Sequence, residues 1–146
     1  MSGADAICER DFYAWSREQA RLLREGRCHD ADAAHIAEEL ESLGRSEKRE
    51  LVSRLAVLLT HLLKWQFQPG MRGRSCELTI REQRRRLARH LADNPSLAAL
   101  LDPAIAHAYG DSLLMVQQQT GLDEATFPAH CPYVAAAISD QAFLPN

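Results

Sequence analysis

The chain has 146 residues, 46% of them hydrophobic and 25% charged, with a net charge of -3 at pH 7 and an isoelectric point near 6.1. That is about one globular domain's worth of sequence rather than a disordered tract, and its mildly acidic balance argues against a dedicated nucleic-acid binder. No apolar run approaches the roughly 18 residues of a membrane span, and the start MSGADAICERD lacks the basic and apolar signature of an export signal.

The stretch DFYAWSREQARLLREG reads as a first helix. Asp11 caps it, Phe12, Trp15, Gln19, Leu22 and Leu23 recur at helical spacing, and Gly26 stops it. Such a helix packs through its aromatic first turn, and residues 1–10 ahead of it are expected to be flexible. A second helix begins near Asp30 or Asp32 and reaches about Phe67. Its stripe is Ile36, Leu40, Leu43, Leu51, Leu55, Leu58, Leu62 and Trp65, interrupted by Glu47. Gly44 with Ser46 offers a break and a new cap, but one long helix, kinked or straight, is expected rather than a tight hairpin.

Pro69-Gly70 ends that helix and MRGRS forms a basic loop. A third helix starts at Ser75 or Thr79, where Thr79-Ile80-Arg81-Glu82 fits a capping box, and turns Cys76, Ile80, Gln83, Leu87 and Leu91 inward. Asn94-Pro95 closes it and SLAALL adds a helical turn. Asp102-Pro103 restarts the chain as cap and first-turn proline, leading a fourth helix through Ile105, Tyr109, Leu113 and Val116 to Gly121. One more short helix follows Pro132. Nothing alternates like a strand, and no repeat or linker is visible. The expected fold is all-α: a single-domain helical bundle over residues 1–146, of about four to six helices with one long, possible kink-bearing member.

Charge is spread unevenly. Residues 30–50 hold seven acids against three bases, residues 70–92 hold seven arginines against two acids, and residues 101–146 hold five acids and no lysine or arginine. The acidic stretches are plausible internal partners for the basic one. The four cysteines, Cys8, Cys28, Cys76 and Cys131, are scattered without a CxxC pair, so reduced thiols in a cytoplasmic protein are expected.

Three chemistries were weighed from the side chains. His35 with Glu38 and Glu39 shares a helix face, as in the half-sites of helical metal proteins; Glu41 and His61 are the further candidates. Glu38 and His61 would lie roughly 35 Å apart along a continuous helix, and a hairpin at Gly44 would not align them. Exposed glutamates paired with Arg45 and Lys48 are the commoner outcome. Cys28-His29 and His130-Cys131 lack zinc-ligand spacing. No metal or other cofactor is therefore predicted. In HLLKWQFQP, residues 61–69, Trp65 continues the buried stripe, His61 borders it, and Lys64 favours the helix C-terminus.

The arginines of REQRRRLAR, with Arg72 and Arg74 ahead of them, fit either phosphates or an acidic protein surface; a solvated, ion-paired face gives the same pattern. No serine or cysteine sits in a nucleophile elbow, and GMRGRS lacks the lysine and hydroxyl order of a phosphate loop.

The blocks DFYAWSREQARLLREGR, HIAEELESLGRSEKREL, LLTHLLKWQFQP, TIREQRRRL, NPSL, FPAHCPY and FLP, in that order, resemble the bacterial domain-of-unknown-function family 29 from about Asp11 to Pro145. The resemblance implies an all-α, cytoplasmic bacterial protein and carries no reaction. The family's RSW block has Cys76 in place of its tryptophan here.

The leading expectation is a non-enzymatic interaction or regulatory module. It would bind an unidentified protein partner, or a second copy of itself, through Arg72, Arg74, Arg81, Arg84, Arg85 and Arg89. The alternatives are a metal-binding bundle or metal-dependent hydrolase using His35, Glu38, Glu41 or His61, and a nucleic-acid-associated module.

Overall fold

The computed structural model describes residues 10–146; residues 1–9 of the N-terminal stretch expected to be flexible, Cys8 included, lie outside them. Five α-helices follow in order: α1 (Phe12–Arg24), α2 (Ala33–Phe67), α3 (Arg74–Asp93), α4 (Leu101–Thr120) and α5 (Ala135–Ser139). Short 3-10 turns at Cys28–Asp30, Pro69–Met71, Pro95–Leu100 and Glu124–Thr126 connect them. No strand occurs among the described residues, so the fold is all-α. No helix among them is long and apolar enough to cross a membrane. The long second helix is present, and Gly44 does not end it. The chain divides into two compact units, Met1–Ser46 and Glu47–Asn146.

In the first unit, the Asp11 carboxylate accepts the Ala14 N–H at 3.0 Å and starts α1. Gly26, at φ 74°, ends the turn beyond it in a conformation that a side chain disfavours. Of the aromatic first turn, only Trp15 is buried; Phe12 and Tyr13 are exposed. Trp15 shares its buried face with Gln19 and Leu22. Asp32 gathers this unit's polar contacts. Its carboxylate accepts Trp15 Nε1–H at 3.1 Å and the His35 Nδ1 proton at 2.7 Å, while its backbone N–H donates to Gln19 Oε1 at 2.6 Å.

The second unit holds the main core. Leu51, Leu55, Leu58, Leu59, Leu62 and Leu63 on α2 are wholly buried, and Ile80, Leu87, Ala108, Tyr109, Val116, Tyr133 and Ile138 pack into the same cluster. Trp65 is half-buried at its edge. Tyr109 donates to the Pro128 carbonyl at 2.5 Å and Tyr133 to Gln66 Oε1 at 2.7 Å, which ties the C-terminal segment to the helices. Gly121, again at φ 74°, ends α4.

Three local expectations differ. Leu40 and Leu43, placed in the buried stripe, are 64% and 63% exposed; periodicity marks which face is apolar, not whether a neighbour covers it. Thr79 does not cap α3, which is already helical from Arg74; its hydroxyl donates instead to the Ser75 carbonyl one turn back at 3.0 Å. Asp102 is not a cap either, because α4 begins at Leu101 and takes Asp102 and Pro103 into its first turn.

Three substitutions test this arrangement by urea denaturation. Leu62→Ala should cost about 2–5 kcal/mol, whereas Leu40→Ala should change stability by less than about 1 kcal/mol. Gly44→Ala, in mid-helix with open space around an added Cβ, should stabilise by about 0.5–1 kcal/mol.

Candidate functional site

At 100° per residue, the positions of α3 sort into two sectors. Ile80, Gln83, Arg84 and Leu87 fall together and are the buried residues of the helix. Arg74, Arg81, Arg85 and Arg89 fall within an arc of about 80° on the other side, over roughly 22 Å of axis. All four are exposed. Elsewhere Arg21, Arg27, Arg45, Arg54 and Arg86 each lie against a carboxylate, most of them one turn away. The four arginines of the row take part in no ion pair among the described residues. The internal pairing expected from the acidic stretches therefore does not form at these positions. Leu78 lies inside the row, 45% exposed, and Met71 stands just before the helix, 70% exposed.

The other two arginines expected on this surface are committed elsewhere. Arg72 donates through Nε to the Trp65 carbonyl at 2.7 Å and holds its guanidinium 5.5 Å from the Trp65 ring centroid. It thereby satisfies a carbonyl near the C-terminal end of α2. Arg84 is a correction to the expected partner-facing set, being only 2% exposed. Its Nε and Nη2 donate to the carbonyls of Ile138 and Ala137 at 2.9 and 3.3 Å. A sequence signal for it existed: Ile80, Arg84, Leu87 and Leu91 are spaced four, three and four apart, an inward stripe with one charged member.

From α3, His90 donates through Nε2 to the Glu47 carbonyl at 2.9 Å, and Glu47 itself is exposed. Glu47 therefore interrupts the apolar stripe without being buried.

His61 borders a cavity of about 460 Å³ that also involves Lys64, Ser75, Cys76, Thr79 and Gln119. Its Nδ1 donates to the Val57 carbonyl at 2.9 Å, so the proton of the neutral ring sits there. Lys64 donates to Gln119 Oε1 at 3.3 Å. The Cys76 thiol points at the His61 carbonyl at 3.7 Å, and burial pushes its pKa up, which disfavours the reactive thiolate. Cys76 is half-buried, packing against the core on one side and bordering this cavity on the other.

The metal candidates divide between the two units. His35 belongs to the first unit and bonds Asp32, whereas His61 belongs to the second. Glu38 and Glu41 are exposed, with Glu41 3.9 Å from Arg45. Among the described residues no three histidine, cysteine, aspartate or glutamate side chains form a group that could hold a metal ion. Cys28, Cys76 and Cys131 are free.

A family model described as domain of unknown function DUF29 matches residues 7–144 of the chain. No curated protein and no solved structure gives a match.

Two titrations report on these sites. For His61, burial lowers the pKa below 6.5, Lys64 adds to that, and the Val57 carbonyl opposes it. The unfolded chain then takes up the proton first as pH falls. Stability contributed by the neutral ring is complete above about 6.5 and is lost as pH drops through the lowered folded value. NMR titration should find His61 titrating below 6.5, and His61→Gln should flatten the pH dependence of stability in that window. For Asp32, burial acts to raise the carboxyl, but hydrogen bonds from His35 and Trp15 outweigh it and hold the pKa below 3.8. Its contribution is present above the unfolded value and lost as pH falls through the lower folded one. Asp32→Asn should remove that acid-side loss, measured as the slope of stability against pH below 4.

Proposed function

The chain belongs to the DUF29 family, and on that premise we propose that it is a non-enzymatic interaction module that docks an acidic protein surface along α3. The observation that carries this reading is the row of Arg74, Arg81, Arg85 and Arg89, exposed on one face without carboxylate partners among the described residues. Arg81 with Arg85, and Arg85 with Arg89, are like charges one turn apart. Each such pair costs a helix about 0.2–0.5 kcal/mol, and an incoming set of carboxylates offsets that cost.

The spacing and the neighbours of the row favour a protein over a nucleic acid. Charges four residues apart on a helix repeat at about 6 Å, and an acidic helix with carboxylates at i, i+4 and i+8 repeats at the same interval. Leu78 and Met71 add exposed apolar area beside the charges. A protein surface can cover them, whereas a phosphate backbone leaves them in water. The three free cysteines agree with a cytoplasmic setting.

The test is affinity capture from a lysate of the source organism, comparing the native chain with an Arg81→Glu, Arg85→Glu, Arg89→Glu variant at low and raised salt. An acidic protein should be retained at near-equal stoichiometry by the native chain and released by salt. The variant should bind it about 10- to 100-fold more weakly, at about 0.5–1 kcal/mol per lost pair. Retention that ignores both salt and the three reversals would sink the arginine row as the contact. Nuclease-sensitive retention with a steep salt dependence would replace the reading with nucleic-acid binding. Capture of the chain's own copies, confirmed by sedimentation, would make the acidic surface its own.

A further inference from the structure

We infer a second site, on the inner side of the same helix: the cavity beside Arg84 binds a carboxylate borne on a short apolar body. Arg84 is 2% exposed yet joins no ion pair among the described residues. A guanidinium has five N–H donors, and the carbonyls of Ile138 and Ala137 take only two of them. The remaining donors, Nη1 among them, bond no protein acceptor, and Nη1 is not sealed from water; the buried side-chain atom left without a partner among the described residues is Gln83 Oε1. Burial of this kind works against the charged form, and the only charge that opposes it is Asp140, which is exposed. A largely buried guanidinium held in one orientation, with donors to spare, favours an anion more than a mobile surface arginine does.

The surroundings define which anion. A cavity of about 320 Å³ adjoins Arg84, with Ile80, Ala142 and Leu144 as its apolar walls and Glu77, Arg81 and Gln141 as its polar ones. The guanidinium is held in place by its two carbonyls and by the Phe143 ring, 6.0 Å from ring centroid to carbon. A fixed fork suits the two oxygens of a carboxylate. Arg81 and Gln141 add further donors, but the walls of Ile80, Ala142 and Leu144 accept a short alkyl chain, which a bare phosphate lacks. Glu77 is the one carboxylate in the lining, and it repels an incoming anion. A small aliphatic acid and the C-terminus of another chain present the same group.

The cavity shares Arg81 with the arginine row, but Arg85 and Arg89 do not line it. The proposal is tested on the full chain, labelled with nitrogen-15 and titrated with hexanoate. Saturable shifts are expected at the Arg84 Nε–H and at the amides of Ile80, Ala142 and Leu144, at millimolar concentrations. Hexanamide, neutral and of nearly the same shape, should produce none. Glu77→Gln should tighten hexanoate several-fold. Ala142→Leu, at an exposed position that spares Arg84 its role in holding the tail, should fill the cavity and abolish binding. Arg85→Glu with Arg89→Glu should leave hexanoate binding in place while weakening the acidic partner, which separates this site from the part of the arginine row outside it. A short peptide ending in leucine, with its C-terminus free or amidated, identifies the source: tighter binding of the free form than of hexanoate points to a chain terminus, and weaker binding to a small acid. Absence of saturation with hexanoate, an equal response to hexanamide, or binding that survives Ala142→Leu overturns the proposal.

Discussion

Six leucines between Leu51 and Leu63 cover a broad face of α2, and all six are completely removed from water. Burying side chains of that size is worth about 1.5–3 kcal/mol each, so this one stretch of helix supplies a driving force comparable with the net stability of a whole domain. A helix this apolar needs cover over a wide arc. Residues of α3, α4, α5 and the 127–133 segment supply it, and Tyr109 and Tyr133 use their hydroxyls to fasten that cover. The positions of the arginine row and of Arg84 both follow, because they are fixed by how α3 turns Ile80 and Leu87 towards the leucines.

Electrostatics on the remaining surface follows a local rule at many arginines, though Arg17, Arg24 and Arg49, like the outer row of α3, join no ion pair among the described residues. Most paired arginines find a carboxylate three or four residues away on their own helix, as Arg21 does with Glu18 and Glu25. Such pairs contribute little to stability, but they leave no concentrated field. On the outer face of α3, Glu77, Glu82 and Asp93 stand three or four residues from Arg81, Arg85 and Arg89 but make no ion pair with them, so the row keeps its donors free. That face is therefore where the molecule can attract an acidic surface over distances of about a Debye length.

The inner face of α3 solves a different problem. Arg84 enters the core with its charge and draws on carbonyls of α5, more than fifty residues ahead in sequence. Those carbonyls lie near the end of a helix, where the dipole favours a cation, although α5 is too short for that to be a large effect. Two carbonyls anchor the guanidinium without neutralising it. The result is a positioned cation next to a partly apolar cavity, an arrangement that a purely structural clasp does not require.

Much of this was legible in the residues themselves. Asp11 as a cap, the start near Asp32, the stops at Gly26 and Gly121 and the long helix to Phe67 depend on a few consecutive residues, and local chemistry decided them. The arginine row was legible too, since a fixed turn of 100° per residue puts positions 81, 85 and 89 on one face. Burial was not. Leu40 and Leu62 have the same place in the same pattern, but only Leu62 meets a covering element. Arg81 and Arg84 are three residues apart in a run of arginines, but only Arg84 reaches the carbonyls of Ala137 and Ile138. Sequence alone determined the helices and the side of each that is apolar or charged, because those are properties of neighbouring residues. The tertiary structure alone decided which of those sides meet protein and which meet water, because covering surfaces and hydrogen-bond acceptors come from distant parts of the chain.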